Sequence, residues 1–111
     1  MTARTLFVPG RVELFGKHVD YGGGPSLTCA VELGITATIE PIDRPILEVV
    51  DEVTHRRTRA PLRRDARATA AQGATYVAAV ARRMSRDFAP LRHGVRVTTR
   101  SDLPRSSGLS S

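Results

Sequence analysis

The spacing of apolar positions changes several times along the chain, and each change predicts an element. Thr5 to Val8 is a short β-type run that Pro9-Gly10 closes as a turn; Val12 to Phe15 is a second, ended by Gly16. From Lys17 to Pro25 there is no periodicity, and Gly22-Gly23-Gly24 taken alone reads as a flexible turn. Residues 35–40 alternate apolar and polar side chains, as a half-buried strand does. Pro41 and Asp43-Arg44-Pro45 break the chain before a further run, Ile46 to Val50, so 35–50 reads as an antiparallel hairpin. Residues 54–67 are irregular and basic, which predicts a solvated loop and helix face. From Ala74 to Asp87 the spacing becomes three and four. Tyr76, Val77, Val80, Ala81, Met84 and Phe88 then form one apolar helical stripe facing the core, with Arg82, Arg83 and Arg86 opposite. Ala89-Pro90 ends that helix, and Val95, Val97 and Thr99 alternate with Arg96, Thr98 and Arg100 in a last strand. The predicted class is α+β: an antiparallel or mixed sheet with one helix at about 74–87.

Composition narrows this picture. The 111 residues suffice for one small domain or part of a larger one, and exclude a two-domain enzyme. Aromatics make up only 5% and Trp is absent, so the core must rest on Val, Leu, Ile and Ala. The net charge is +6, and every cation except Lys17 is Arg. Such an excess invites a nucleic-acid reading, yet the basic block at 54–67 holds no aromatic to stack on bases, and no zinc-ligand pair accompanies it. Nucleic acid is therefore not an expected partner. Cys29 is the only cysteine and cannot form an internal disulfide; no signal-peptide pattern opens the chain, and no apolar run reaches membrane-spanning length. A cytoplasmic protein without a membrane partner is expected.

The end of the chain carries candidate chemistry. A strand runs into Ser101-Asp102-Leu103-Pro104-Arg105-Ser106-Ser107-Gly108-Leu109-Ser110-Ser111. Small hydroxylated residues around a glycine suit either a disordered tail or half of a phosphate-binding loop, where N–H and hydroxyl groups converge on an anion. The Gly-Lys-[Ser/Thr] element of a Walker loop is missing.

Two segments carry a family resemblance. Pro9-Gly10-Arg11-Val12-Glu13-Leu14-Phe15-Gly16-Lys17-His18-Val19-Asp20-Tyr21-Gly22-Gly23-Gly24 resembles the first signature of the galactokinases. Ser101 to Ser111 resembles the start of the second signature, Pro-x-x-x-Gly-Leu-x-Ser-Ser, which the wider GHMP small-molecule kinases share. The resemblance implies ATP-dependent phosphorylation of a sugar hydroxyl, with magnesium, on the N-terminal GHMP kinase domain (a ribosomal protein domain 2-like fold). It maps ATP binding onto Pro104, Ser106, Ser107, Gly108, Leu109, Ser110 and Ser111, and sugar contacts onto Arg11, Lys17, His18 and Asp20. It makes Arg11 the residue that holds a catalytic base ionised and steadies developing negative charge. A carboxylate such as that of Asp20 can accept hydrogen bonds from two neighbouring sugar hydroxyls.

Lys17 departs from the pattern, because galactokinases carry Glu there. Lysine offers three donors and no acceptor, which reverses both charge and hydrogen-bond polarity. The expected substrate is therefore a sugar other than galactose, with an acidic group that Lys17 could pair. The resemblance also implies that the catalytic Asp, the third signature and any metal ligand lie past residue 111. The chain is thus expected to be an incomplete domain, inactive alone, with its oligomeric state open. A sugar- and ATP-sensing regulator on the kinase scaffold is the alternative, separated from the enzyme by whether that Asp is present.

Overall fold

The computed structural model describes residues 2–16, 19–67 and 74–104. Five strands and one helix follow in chain order. They are β1 (Arg4–Phe15), β2 (Leu27–Ile42), β3 (Ile46–Asp51), β4 (Arg57–Pro61), α1 (Ala74–Asp87) and β5 (Gly94–Ser101), with a short 3-10 turn at Asp20–Gly22. The strands form one mixed sheet in the order β1-β2-β5-β3-β4. The class is α+β as expected, and α1 has the predicted bounds.

Four local expectations are corrected. Pro9-Gly10 does not turn the chain: both lie inside β1, which runs unbroken for 12 residues. β1 is an edge strand of the sheet, where a residue without an N–H group leaves no ladder bond unmade. Residues 35–50 are not a hairpin either. Turn chemistry is present at 43–45, but β5 lies between β2 and β3 in the sheet. Gly94 permits this arrangement, because a Cβ there would fall 2.0 Å from the Ile46 carbonyl oxygen and 2.3 Å from that of Arg44. β5 can begin against this backbone only without a side chain. It then runs parallel to β3, pairing Leu47 with Val95 and Val49 with Val97. The hairpin lies one step further on, where β3 and β4 pair antiparallel, Glu48 opposite Arg59 and Val50 opposite Arg57. Its turn is held by Asp51, whose Oδ1 accepts from the N–H groups of Val53 at 2.8 Å and Thr54 at 3.0 Å.

The third correction concerns the basic block. Part of it is β4, and its Arg-Thr-Arg-Ala alternation is a period-two signal, with Thr58 and Ala60 buried and Arg57 and Arg59 on the other face. Leu47, Ala60, Ala66 and Ala81 form the core of the unit comprising residues 1–6 and 37–100, with Val49, Leu62, Val77, Val95 and Val97 packed against them. Alanines at this contact let α1 settle close to β4 and β3. The helix is rotated from the expected stripe. Ala78, Ala81 and Ser85 are buried, whereas Tyr76 is 79% exposed and Val80, Met84 and Phe88 are also exposed. Arg82 accounts for the rotation, because its Nη1 donates to the Ala66 carbonyl at 2.8 Å and ties that side of α1 to the 62–67 segment. Ser85 satisfies its buried hydroxyl on the Ala81 carbonyl at 2.8 Å.

On the opposite face of β3 sits a buried charge. Glu48 has no solvent-exposed surface, and its cover is a canopy of arginine side chains rather than the apolar core. Oε1 accepts from Arg59 Nε at 3.0 Å and Oε2 from Arg96 Nε at 2.9 Å, while Arg57 Nη1 lies 3.2 Å from Oε1. Desolvation pushes the carboxyl upward, and the bonds from Arg96 and Arg59 with the charges of Arg96 and Arg57 outweigh it, so the pKa is lowered.

The folded pKa lies below the ordinary 4.5, so the unfolded chain takes up the proton first as acid is added. The stability contributed by ionised Glu48 is complete above that ordinary value and is lost as pH falls through the lower folded value. Glu48→Gln is expected to cost on the order of 2 kcal/mol at neutral pH. The variant is also expected to flatten the decline of Tm below pH 4.5, the ordinary glutamate value. Thermal melts across an acid series, with and without the substitution, check both.

Candidate functional site

A second compact unit comprises Phe7–Thr36 and the chain from Ser101, so it contains the described parts of both signature segments. β1 delivers the first. Arg11 sits in β1, exposed, downstream of a buried Gly10. β1 ends at Phe15 because Gly16 takes φ +94°, and a Cβ there would lie 2.6 Å from the Pro25 carbonyl oxygen. Only glycine serves at such a position.

The glycine-rich loop that follows is not the slack turn its composition suggests. The Val19 N–H donates to the Gly16 carbonyl at 3.2 Å, and the Val19 carbonyl accepts from Gly22 at 3.1 Å and Gly24 at 2.8 Å. Val19 is thus the hub of a folded-back backbone. Gly23 supplies φ +78°, and a Cβ on Gly24 would make a tight contact of 3.0 Å with the Cβ of Val19. The backbone of Asp20 lies in the short 3-10 turn beside this hub. Lys17 and His18 lie outside the described residues.

The second segment starts where β2 meets it. The Gly34 N–H donates to Asp102 Oδ1 at 2.7 Å, and the Asp102 N–H donates to the Gly34 carbonyl at 3.2 Å. This reciprocal pair fixes the chain as it leaves β5. The Leu103 N–H donates to Ser101 Oγ at 3.2 Å, and the Leu103 side chain is buried. Pro104 is exposed, and Ser106, Ser107, Gly108, Leu109, Ser110 and Ser111 lie outside the described residues.

Gly34 is also where β1 comes close. A Cβ on it would fall 2.3 Å from the Val8 carbonyl oxygen and 2.6 Å from Cζ of Phe7. One glycine therefore brings Val8, the residue before the first signature, and Asp102, at the start of the second, onto the same point of β2. Sequence reasoning assigned nothing to Gly34 or Asp102. An acidic residue following a strand and preceding Leu-Pro was a visible signal for the latter; an isolated glycine at the end of an apolar-polar run was the weaker signal for the former.

Among the described residues no group of three His, Cys, Asp or Glu side chains stands close enough to hold a metal ion. No helix among them is long and apolar enough to cross a membrane. Gly34→Ala is expected to lower stability by about 2–3 kcal/mol, since the displaced neighbour is backbone and cannot yield cheaply. Asp102→Ala is expected to raise hydrogen exchange at the Gly34 amide while leaving that of β3 unchanged. Denaturant melts and exchange measured residue by residue check the two.

Residues 2–41 match the galactokinase galactose-binding signature. A galactokinase of Actinobacillus pleuropneumoniae serotype 5b (strain L20) is 30% identical over 109 residues, covering 98% of this chain and 28% of that protein. One from Lacticaseibacillus casei is 32% identical over 116 residues, covering 96% of this chain and 28% of that protein. The chain thus spans little more than a quarter of the length of these relatives. The crystal structure of Lactococcus lactis galactokinase complexed with galactose shares the fold with a TM-score of 0.76 at 22% identity, covering 98% of this chain and 29% of that one. Signature, relatives and fold agree, and the chain belongs to the galactokinase branch, matching the N-terminal part of that family.

Proposed function

We infer that the protein carrying this chain transfers a phosphoryl group from ATP to a sugar hydroxyl. The observation that carries the reading is the junction at Gly34, where Val8 on β1 and Asp102 after β5 converge on one residue of β2. Both signatures spring from that junction. The domain is read as the N-terminal, ribosomal protein domain 2-like part of a GHMP kinase.

Each residue has a distinct task. Asp20 and His18 hold the sugar by its hydroxyls, a geometry that turns a flexible substrate into an aligned nucleophile. Arg11 is exposed on β1 and among the described residues has no bonded partner, so its guanidinium is open to a substrate or to a developing charge. A permanently charged group of this kind keeps a neighbouring carboxylate ionised and stabilises negative charge as the hydroxyl attacks phosphorus. The donor set of Ser106, Ser107, Ser110 and Ser111, with backbone N–H groups around Gly108, has the chemistry to hold the phosphates of ATP. Bound ATP supplies the transferred group, with magnesium neutralising the phosphate charge. Asp102, tied to Gly34, keeps the base of that loop fixed.

Lys17 directs the choice of sugar. An ammonium where the family carries a carboxylate favours a substrate that presents an acidic group. The chain by itself, at 28% of a relative's length, is proposed to be inactive.

The test is an ADP-release assay on the full-length polypeptide with a panel of neutral and uronic sugars. Sugar-dependent release is expected, with a uronic sugar preferred and with Lys17→Glu shifting preference toward galactose. Arg11→Ala is expected to lower kcat by roughly a hundredfold or more. Absence of release with every sugar, while ATP and sugar still bind, would replace the enzyme by a sensor. Preferred turnover of galactose by the parent protein would remove the role given to Lys17.

A further inference from the structure

Among residues that belong to neither signature, arginines gather around one open groove. Arg64, in the segment after β4, lines an open cavity of about 520 Å3 together with Ala79, Arg82, Arg83 and Arg86 of α1. The helical spacing explains the convergence: positions 79, 82, 83 and 86 share one side of α1, away from the buried Ala78, Ala81 and Ser85. Arg82 is fixed by its bond to the Ala66 carbonyl, so one wall of the groove is held in place.

The local charge is far from balanced. Arg83 and Arg86 share the single carboxylate of Asp87. Asp65 is occupied by Arg63, which is not part of the groove. Arg64 has no bonded partner among the described residues. Four guanidinium groups against one carboxylate leave a surplus of three positive charges at a concave site. A single carboxylate ligand would leave most of that surplus uncompensated, whereas a phosphate with two or more charges matches it. Guanidinium forks also fit phosphate oxygens two at a time, which an ammonium cannot do.

We propose that this groove is a binding site for a small, multiply charged phosphate, free or carried on a small molecule. None of its residues belongs to either signature, so the site stands or falls separately from the kinase reading. Arg64 and Arg86 clamp the anion from opposite walls. Asp87 competes with it for Arg83 and Arg86, and thereby sets the affinity.

The test is calorimetric titration of the full chain with inorganic pyrophosphate at constant ionic strength, with the fold of each variant checked by circular dichroism. Saturable binding is expected, weakened at least tenfold by Arg64→Ala and by Arg86→Ala and unchanged by Arg4→Ala. Asp87→Asn, which removes the competing carboxylate and no arginine, is expected to tighten binding several-fold. A parallel titration with a sugar monophosphate separates the two sources: tighter binding than pyrophosphate assigns the site to an organic phosphate, weaker binding to the inorganic anion. No saturable binding, or equal affinity in Arg64→Ala, Arg86→Ala and the parent chain, overturns the proposal. So does weaker binding in Asp87→Asn.

Discussion

A single carboxylate without solvent exposure, held from three directions, organises the larger unit. Glu48 accepts from Arg59 on β4 and Arg96 on β5 and also pairs with Arg57. β3 is thereby tied to its antiparallel and its parallel neighbour through one side chain. Buried charge is a costly fastener, since desolvation disfavours it and only complete pairing compensates. The structure meets that condition: none of its described buried side-chain polar atoms lacks a partner. With Glu48 and its arginines on one face of the sheet, the other face is left to Leu47, Val49, Ala60, Val95 and Val97, which receive α1. An apolar core this small in side-chain volume is consistent with a chain so poor in aromatics.

Periodicity was a good guide to elements and a poor one to their neighbours. The bounds of α1 and the presence of β3 and β5 were legible because each has several repeats of its period. Pairing was not, because the deciding feature was Gly94, whose missing side chain admits β5 beside the Arg44–Ile46 backbone. Nothing in the alternation of 35–50 encodes that intruder. The rotation of α1 was misjudged for a related reason. Tyr76, Met84 and, just past the helix, Phe88 carry large side chains that stay exposed, while the residues buried on α1 are Ala78, Ala81 and Ser85, and Arg82 is claimed by a carbonyl. Hydrophobicity alone does not report how close two layers must come.

The candidate site was legible as motifs and illegible as geometry. Arg11, Lys17, His18 and Asp20, together with the hydroxyl-rich terminus, stood out by resemblance. Gly34, where Val8 of β1 and Asp102 meet β2, did not, because one isolated glycine in an apolar-polar run is a weak signal. The folded-back loop around Val19 was likewise hidden: glycine triplets advertise freedom, while here the amides of Gly22 and Gly24 are spent on one carbonyl.

Pro9 has a consequence beyond the strand in which it sits. β1 lies at the margin of the sheet and exposes Leu6, Phe7, Val8, Leu14 and Phe15, a profile that invites another chain to add itself alongside. A prolyl nitrogen in the middle of that border offers no hydrogen, so a would-be partner finds its ladder interrupted at the midpoint. The residue that resembled a bend in the sequence thus takes one donor out of a long greasy margin without bending it.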